Sequence, residues 1–182
     1  MRKLFVVMLA LASFGLLAPA GEAFADSAAV LDTKVKATME IFKETRGSDA
    51  VLKQAKGLLV FPAITKAGFV FGGEYGEGAL LVGGKTYGYY NTAGASFGFQ
   101  IGGQRKSLIL AFMDEGALKR FENASGWKIG ADASVAVIAI GADGSIDTSK
   151  LNQPIIAFAF GLKGLMGNLT LEGAKVTKIN KS

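Results

Sequence analysis

Glu74 and Glu77 are the side chains best placed to perform chemistry in this sequence, because they stand together in a glycine-rich stretch. Two carboxylates can act as general acid and general base when both project into one site. Their odd spacing places them on opposite faces of a regular strand, so a shared site would require a β-bulge. The sequence has no histidine and no cysteine, which excludes Ser-His and Cys-His nucleophiles and histidine or thiolate zinc sites. We therefore predict that the protein is not an enzyme and uses no cofactor.

The glycine-rich stretch, residues 56–82, is interpreted as strand and not as a phosphate-binding loop. Its glycines alternate with large apolar side chains, which is typical of a twisted sheet approached closely by another backbone or a ligand. The run at residues 72–78 has the wrong order for a dinucleotide fingerprint and leads into another strand. Basic residues do not cluster with aromatic residues, so nucleic acid is not an expected partner.

Two helices are predicted ahead of the strands. In residues 26–45 the apolar residues recur at helical spacing and form one stripe. The stripe consists of Leu31, Val35, Met39 and Phe42. Gly47 is expected to end this helix, and Ser48 to cap a second one through residue 55. The stripe could lie on a membrane or dock on the domain. Docking is favoured, because the opposite side mixes acidic and basic residues, whereas membrane-surface helices carry mainly Lys and Arg there.

From residue 58 onward the hydrophobic period changes from helical to two. Pro62 is expected to end the first strand, Gly83-Gly84 to form a hairpin turn, residues 91–94 to form a turn, and Gly173 to mark a bulge. The predicted strands cover residues 58–61, 69–75, 77–82, 86–90, 95–104, 107–112, 127–141, 155–160 and 168–179. The run at 155–160 is apolar on both faces and is expected to be buried on both sides.

These elements predict an α+β fold. Two N-terminal helices pack on a mainly antiparallel, curled or barrel-like β-sheet. One short helix, capped by Asp114 with Leu118 and Phe121 facing inward, is inserted between strands.

The N-terminus has the layout of a secretory signal peptide. It begins with basic residues, continues with an apolar run over residues 4–18, and ends with two Ala-x-Ala sites. Signal-peptide cleavage after Ala25 fits best, and cleavage after Ala20 is the alternative. We predict a signal peptide at 1–25 and a single domain at 26–182. The protein is expected to be exported, either periplasmic, peripherally envelope-associated or secreted. The net charge of the whole chain is +5, and most of the excess lies in the C-terminal twenty residues, which could favour an anionic membrane surface.

Several segments, read together, resemble the SYLF domain family. They are residues 56–62 (KGLLVFP), 66–69 (KAGF), 72–73 (GG), 76–78 (GEG), 98–102 (GFQIG), 129–135 (IGADASV), 161–167 (GLKGLMG) and 171–173 (LEG). The resemblance implies a non-catalytic module that binds phospholipid or phosphoinositide, and the family is also described as actin-regulating in eukaryotes. In eukaryotic members an amphipathic N-terminal segment and basic residues contribute to membrane contact. Actin is not an expected partner of a chain with an export signal.

The leading hypothesis is a lipid-binding module of the cell envelope that uses a glycine-rich β surface, the N-terminal helices and basic residues. Candidate apolar walls are Phe69, Phe71, Tyr75, Tyr89, Phe97 and Phe99. Candidate headgroup contacts are Lys53, Lys56, Lys66, Arg105, Lys106 and Lys163. Two alternatives remain open at this point: an integral outer-membrane β-barrel, and a structural envelope protein without a specific ligand.

Overall fold

The computed structural model describes residues 26–68, 71–97, 104–140, 145–146, 151–161 and 173–182. The predicted signal peptide and three candidate site residues lie outside these residues: Phe69, Phe99 and Lys163. For Phe71 and Phe97 only the backbone is described.

The described residues form three helices and eight strands. The helices are α1 (Ala28–Lys43), α2 (Ser48–Gln54) and α3 (Glu115–Glu122). The strands are β1 (Gly57–Gly68), β2 (Phe71–Val82), β3 (Lys85–Phe97), β4 (Gln104–Phe112), β5 (Trp127–Lys128), β6 (Ala136–Ala139), β7 (Ile155–Phe160) and β8 (Lys175–Ile179). They form one sheet in the order β5-β8-β3-β2-β1-β4-β7-β6. All pairs are antiparallel except β6 with β7. This confirms the predicted α+β class.

The sheet buries apolar side chains on both faces. On one, the α1 face, α1 and α2 pack against alternate residues of the central strands, and the rings of Phe42 and Phe158 lie 5.3 Å apart. On the other, the α3 face, Phe121 packs against Phe112 and Trp127. β7 is buried along its whole length, as its doubly apolar sequence predicts.

Contact between β5 and β4 shows that the sheet curls around the α3 face. Five inter-strand steps separate these strands in the sheet order, and a flat sheet would place them about 24 Å apart. The rings of Phe112 on β4 and Trp127 on β5 are nevertheless 6.4 Å apart. The curl therefore brings an edge strand back onto the centre of the sheet.

Helix α1 docks on the sheet as its stripe predicts. Leu31, Val35, Met39 and Phe42 are all buried, and the side-chain oxygen of Ser27 caps the first turn by accepting a hydrogen bond from the backbone N–H of residue 30. The expected role of the glycine after α1 is wrong. Gly47, with φ of 92°, is the N-cap residue of α2 and does not end α1.

Pro62 does not end the first strand, so that prediction is also wrong. β1 continues to Gly68, and its register shifts against both neighbouring strands around Pro62. Proline has no N–H to donate to a ladder, and a β-bulge accommodates it within the strand. The Ser107 hydroxyl on β4 donates a 2.8 Å hydrogen bond to the Pro62 carbonyl oxygen, which satisfies a backbone group at the bulge.

Two other strand predictions are wrong. The expected turn at 91–94 lies inside β3, because pairing with β2 on one side and with β8 on the other holds this segment extended. The long strand expected at 127–141 is divided into β5 and β6. Gly130, with φ of 89°, turns the chain between them, and they occupy opposite edges of the sheet.

The last strand is described only from Lys175, and residues 168–172 of the predicted strand lie outside the described part. Gly173, which is expected to mark a bulge, has φ of 82°, so the backbone is irregular at this position. This irregularity is a turn immediately before β8.

Candidate functional site

A cleft of about 1260 Å³ lies on the α1 face, beside the N-terminal end of α1. We call it the glycine cleft. It is lined by Asp26, Leu31, Lys34, Pro62, Ala63, Thr65, Gly72, Gly73, Glu74, Tyr75, Gly76, Glu77, Ala93, Gly94, Ala95, Arg105, Gly173 and Lys175.

The floor of the glycine cleft is a row of residues that crosses five strands. In strand order the row is Arg105, Thr65, Tyr75, Ala93 and Lys175, each the direct cross-strand partner of the next. Directly paired residues project from the same face of a sheet. The row therefore places one cation at each side of the cleft and small or aromatic side chains between them.

Small residues keep this floor shallow. Ala63 and Ala95 line the cleft together with Gly73. Among the described atoms, a Cβ added at Gly73 would have only the carbonyl oxygen of Gly94 nearby, at 3.9 Å. The backbone of β2 is consequently accessible to a ligand at this point.

Two other glycines in the same strand have a different role. A Cβ at Gly78 would overlap the carbonyl oxygen of Val60, and a Cβ at Gly76 would lie 2.7 Å from that of Ala63. Both contacts fall at the bulge in β1 around Pro62. These glycines allow β2 to pass the bulge, so the glycine-rich stretch serves strand packing at one end and cleft access at the other.

The carboxylates of the cleft are paired with lysines. Glu74 lies 2.6 Å from the ammonium of Lys106, and Asp26 lies 2.7 Å from that of Lys34. Glu77 lies 2.6 Å from the ammonium of Lys181, and the side chains of this pair are only 10% and 6% exposed. The two glutamates therefore do not share one site.

Two cationic side chains at the sides of the cleft are not paired with a described carboxylate. Arg105 and Lys175 are both exposed, and within the described part of the chain neither forms an ion pair. The cleft therefore presents positive charge at both ends of its floor.

Tyr75 projects from the middle of the floor and is 48% exposed. Its hydroxyl donates a 3.0 Å hydrogen bond to Oε1 of Glu77. Partial burial, followed by the hydrogen bond to Glu77, raises the pKa of Tyr75 above its ordinary value. The hydroxyl is thus protonated at neutral pH and fixed by the same carboxylate that binds Lys181.

The structure brings together only part of the predicted site. Tyr75 and Arg105 line the cleft. Lys106 is buried against Glu74, and Lys66 is the cross-strand partner of Glu74. These three side chains project from the α3 face, away from the cleft floor, because Lys106 pairs with Ile64 of the α3-face core. Lys175 joins the cleft without having been predicted, because its place depends on the register of β8 against β3.

The remaining candidates lie elsewhere on the α1 side. Tyr89 is under α1, where its hydroxyl donates a 3.0 Å hydrogen bond to Asp32. Partial burial, then the contact with Asp32, raises the pKa of Tyr89. Lys53 is exposed on α2, and Lys56 lines a second depression on the other flank of α1.

The described residues contain no group of three or more acidic, histidine or cysteine side chains arranged to hold a metal ion. Each of their helices is also too short or too polar to cross a bilayer.

The comparison with known proteins gives one matching family and two relatives. Residues 93–182 match the family model Ysc84, described as a Las17-binding protein actin regulator. The chain is 28% identical over 135 residues to an SH3 domain-containing protein of Schizosaccharomyces pombe, covering 69% of this chain and 30% of that protein. It is also 28% identical over 134 residues to the protein YSC84 of Saccharomyces cerevisiae, covering 69% of this chain and 28% of that protein. The match thus spans less than a third of either relative.

Proposed function

Because this chain belongs to the SYLF (Ysc84) domain family, we propose that it is a non-catalytic lipid-binding module of the cell envelope. It binds anionic phospholipid in the glycine cleft, after export and removal of residues 1–25. Actin is not proposed as a partner, since the sequence predicts export and the match covers less than a third of each fungal relative.

The cross-strand row in the floor of the glycine cleft carries this proposal. Arg105 and Lys175 stand four inter-strand steps apart, or about 19 Å in a flat sheet. Between them the floor is formed by glycine, alanine, Thr65 and Tyr75. A lipid can lay its glycerol and acyl regions on such a floor while its phosphate reaches a cation at the side. Each well-placed cation contributes about 1 kcal/mol to binding at an anionic membrane surface.

Paired carboxylates support the same ligand class. Anionic headgroups are repelled by free carboxylates, but Glu77 and Asp26 are each neutralised by a lysine. The side chain of Glu74 projects from the opposite face of the sheet, where it is paired with Lys106. The charge that a ligand meets at the cleft is therefore that of Arg105 and Lys175.

Vesicle co-sedimentation tests the proposal. The mature protein is expected to sediment with phosphatidylglycerol vesicles at low salt and much less with phosphatidylcholine vesicles. The Arg105→Gln/Lys175→Gln double variant is expected to bind phosphatidylglycerol roughly thirtyfold more weakly, because two contributions of about 1 kcal/mol are lost.

The matched control is Lys119→Gln/Arg120→Gln. It removes one lysine and one arginine from exposed positions on α3, on the opposite face of the sheet. This variant is expected to keep most of the vesicle binding. Failure of the unmodified protein to bind either vesicle would rule out the proposal. Equal losses in the two double variants would show that only overall charge matters.

A further inference from the structure

A second depression lies on the other flank of α1, between this helix, α2 and the β2–β3 hairpin, and has a volume of about 610 Å³. We call it the helix groove. It is lined by Asp32, Val35, Lys36, Met39, Glu40, Lys43, Leu52, Ala55, Lys56, Gly57, Leu58, Leu81, Gly83, Gly84 and Thr86. None of these residues lines the glycine cleft, so the two depressions are separate sites.

The floor of the helix groove is apolar. Val35 and Met39 of α1 are buried members of the α1-face core. Leu52, Leu58 and Leu81 are only partly buried and pack against that core from the groove side. The floor thus offers aliphatic surface from a helix, a strand and a hairpin, which suits a hydrocarbon chain.

The rim carries three lysines and two acidic residues, but each acidic side chain already interacts with another side chain of the protein. Asp32 accepts 3.0 Å hydrogen bonds from the hydroxyls of Thr86 and Tyr89. Glu40 lies 2.8 Å from the ammonium of Lys43, and this hydrogen bond holds the pKa of Glu40 below its ordinary value.

Two rim lysines remain available. Lys36 and Lys56 are exposed, and the described residues contain no ion pair with either one. The groove therefore combines an aliphatic floor with exposed positive charge at its mouth. That combination is complementary to a ligand with one hydrocarbon chain and one anionic end.

We propose that the helix groove binds a long-chain carboxylate, with its chain on the leucine floor and its carboxylate at Lys36 and Lys56. The groove has about half the volume of the glycine cleft, which favours a single chain over a two-chain phospholipid. This proposal does not depend on the lipid site in the glycine cleft, since the two sites share no residue.

Isothermal titration calorimetry of the mature protein with octanoate, decanoate and dodecanoate tests the proposal. Affinity is expected to rise with chain length by up to about fourfold per added methylene, the equivalent of ~0.8 kcal/mol for each buried methylene. Lys36→Gln/Lys56→Gln is expected to weaken all three ligands roughly tenfold, because it removes two exposed charge contacts. The dependence on chain length should be the same in this variant.

Two further variants separate this site from the alternatives. Lys119→Gln/Lys128→Gln removes two exposed lysines outside both depressions and should bind the carboxylates as the unmodified protein does. Arg105→Gln/Lys175→Gln should lose vesicle binding but retain carboxylate binding. Loss of carboxylate binding in this last variant would place the ligand in the glycine cleft and overturn the proposal. So would an absence of binding, or unchanged affinity in Lys36→Gln/Lys56→Gln.

Discussion

The variant Gly78→Ala is expected to lower the free energy of unfolding by about 3 kcal/mol or more. The new Cβ would overlap the Val60 carbonyl oxygen and lie 2.6 Å from a ring carbon of Phe61. Neither atom can move freely, because one belongs to the backbone and the other to a fully buried ring. We expect the thermal midpoint to fall by about 6–12 °C in a chain of this size. Urea denaturation followed by circular dichroism measures the loss.

The variant Gly73→Ala is the matched control for Gly78→Ala. It makes the same change in the same strand, but within the described part of the chain its Cβ meets nothing closer than 3.9 Å. We expect it to be neutral or stabilising by up to about 1 kcal/mol, since alanine lowers the conformational entropy of the unfolded chain. Equal stability of the two variants would mean that β2 can shift away from the bulge, and that Gly78 is not required for packing.

Replacing Lys181 with methionine is expected to destabilise the protein by about 3–5 kcal/mol. The change leaves the carboxylate of Glu77, which is only 10% exposed, without its cation. It also removes the hydrogen bond that Lys181 donates to the backbone carbonyl of Asp26 at 2.7 Å. Amide hydrogen exchange should therefore accelerate in the first turn of α1.

A second substitution shows whether the unpaired charge is the cause. The double variant Lys181→Met/Glu77→Leu removes both charges and should regain most of the stability that Lys181→Met loses. The exposed pair Glu40–Lys43, whose side chains are 57% and 52% exposed, supplies the control. Lys43→Met should leave the free energy of unfolding almost unchanged. If Lys181→Met were equally mild, the pair with Glu77 would not be holding α1 in place.

The parts of the fold that the sequence predicts well are those set by local periodicity. The stripe of α1, the doubly apolar run of β7 and the Gly83-Gly84 hairpin each depend on residues close together in the chain. The failures arise where distant pairing overrides local preference. β3 crosses residues 91–94 because strands on both sides hold it, and Pro62 stays within β1 because a bulge accommodates it.

The candidate site follows the same rule. Tyr75 and Arg105 could be proposed from the glycine-rich stretch and from a basic pair between strands. Lys175 could not, because only the pairing of β8 with β3 brings it into the row. The pairing of Glu77 with Lys181 could not be predicted from the sequence either, since these residues lie 104 positions apart in the chain.

This long separation has a consequence for the order of folding. Two long-range contacts at the N-terminal end of α1 join Lys181 to Glu77 and to Asp26, across 104 and 155 positions of the chain. Contacts between residues far apart in the chain form slowly, because closing the long loop between them requires a large loss of chain entropy. During synthesis the N-terminal residues emerge from the ribosome first, and α1 must wait for Lys181 to be made before its start can be fixed. Until then the N-terminal end of α1 lacks the long-range contacts that fix it in the native state.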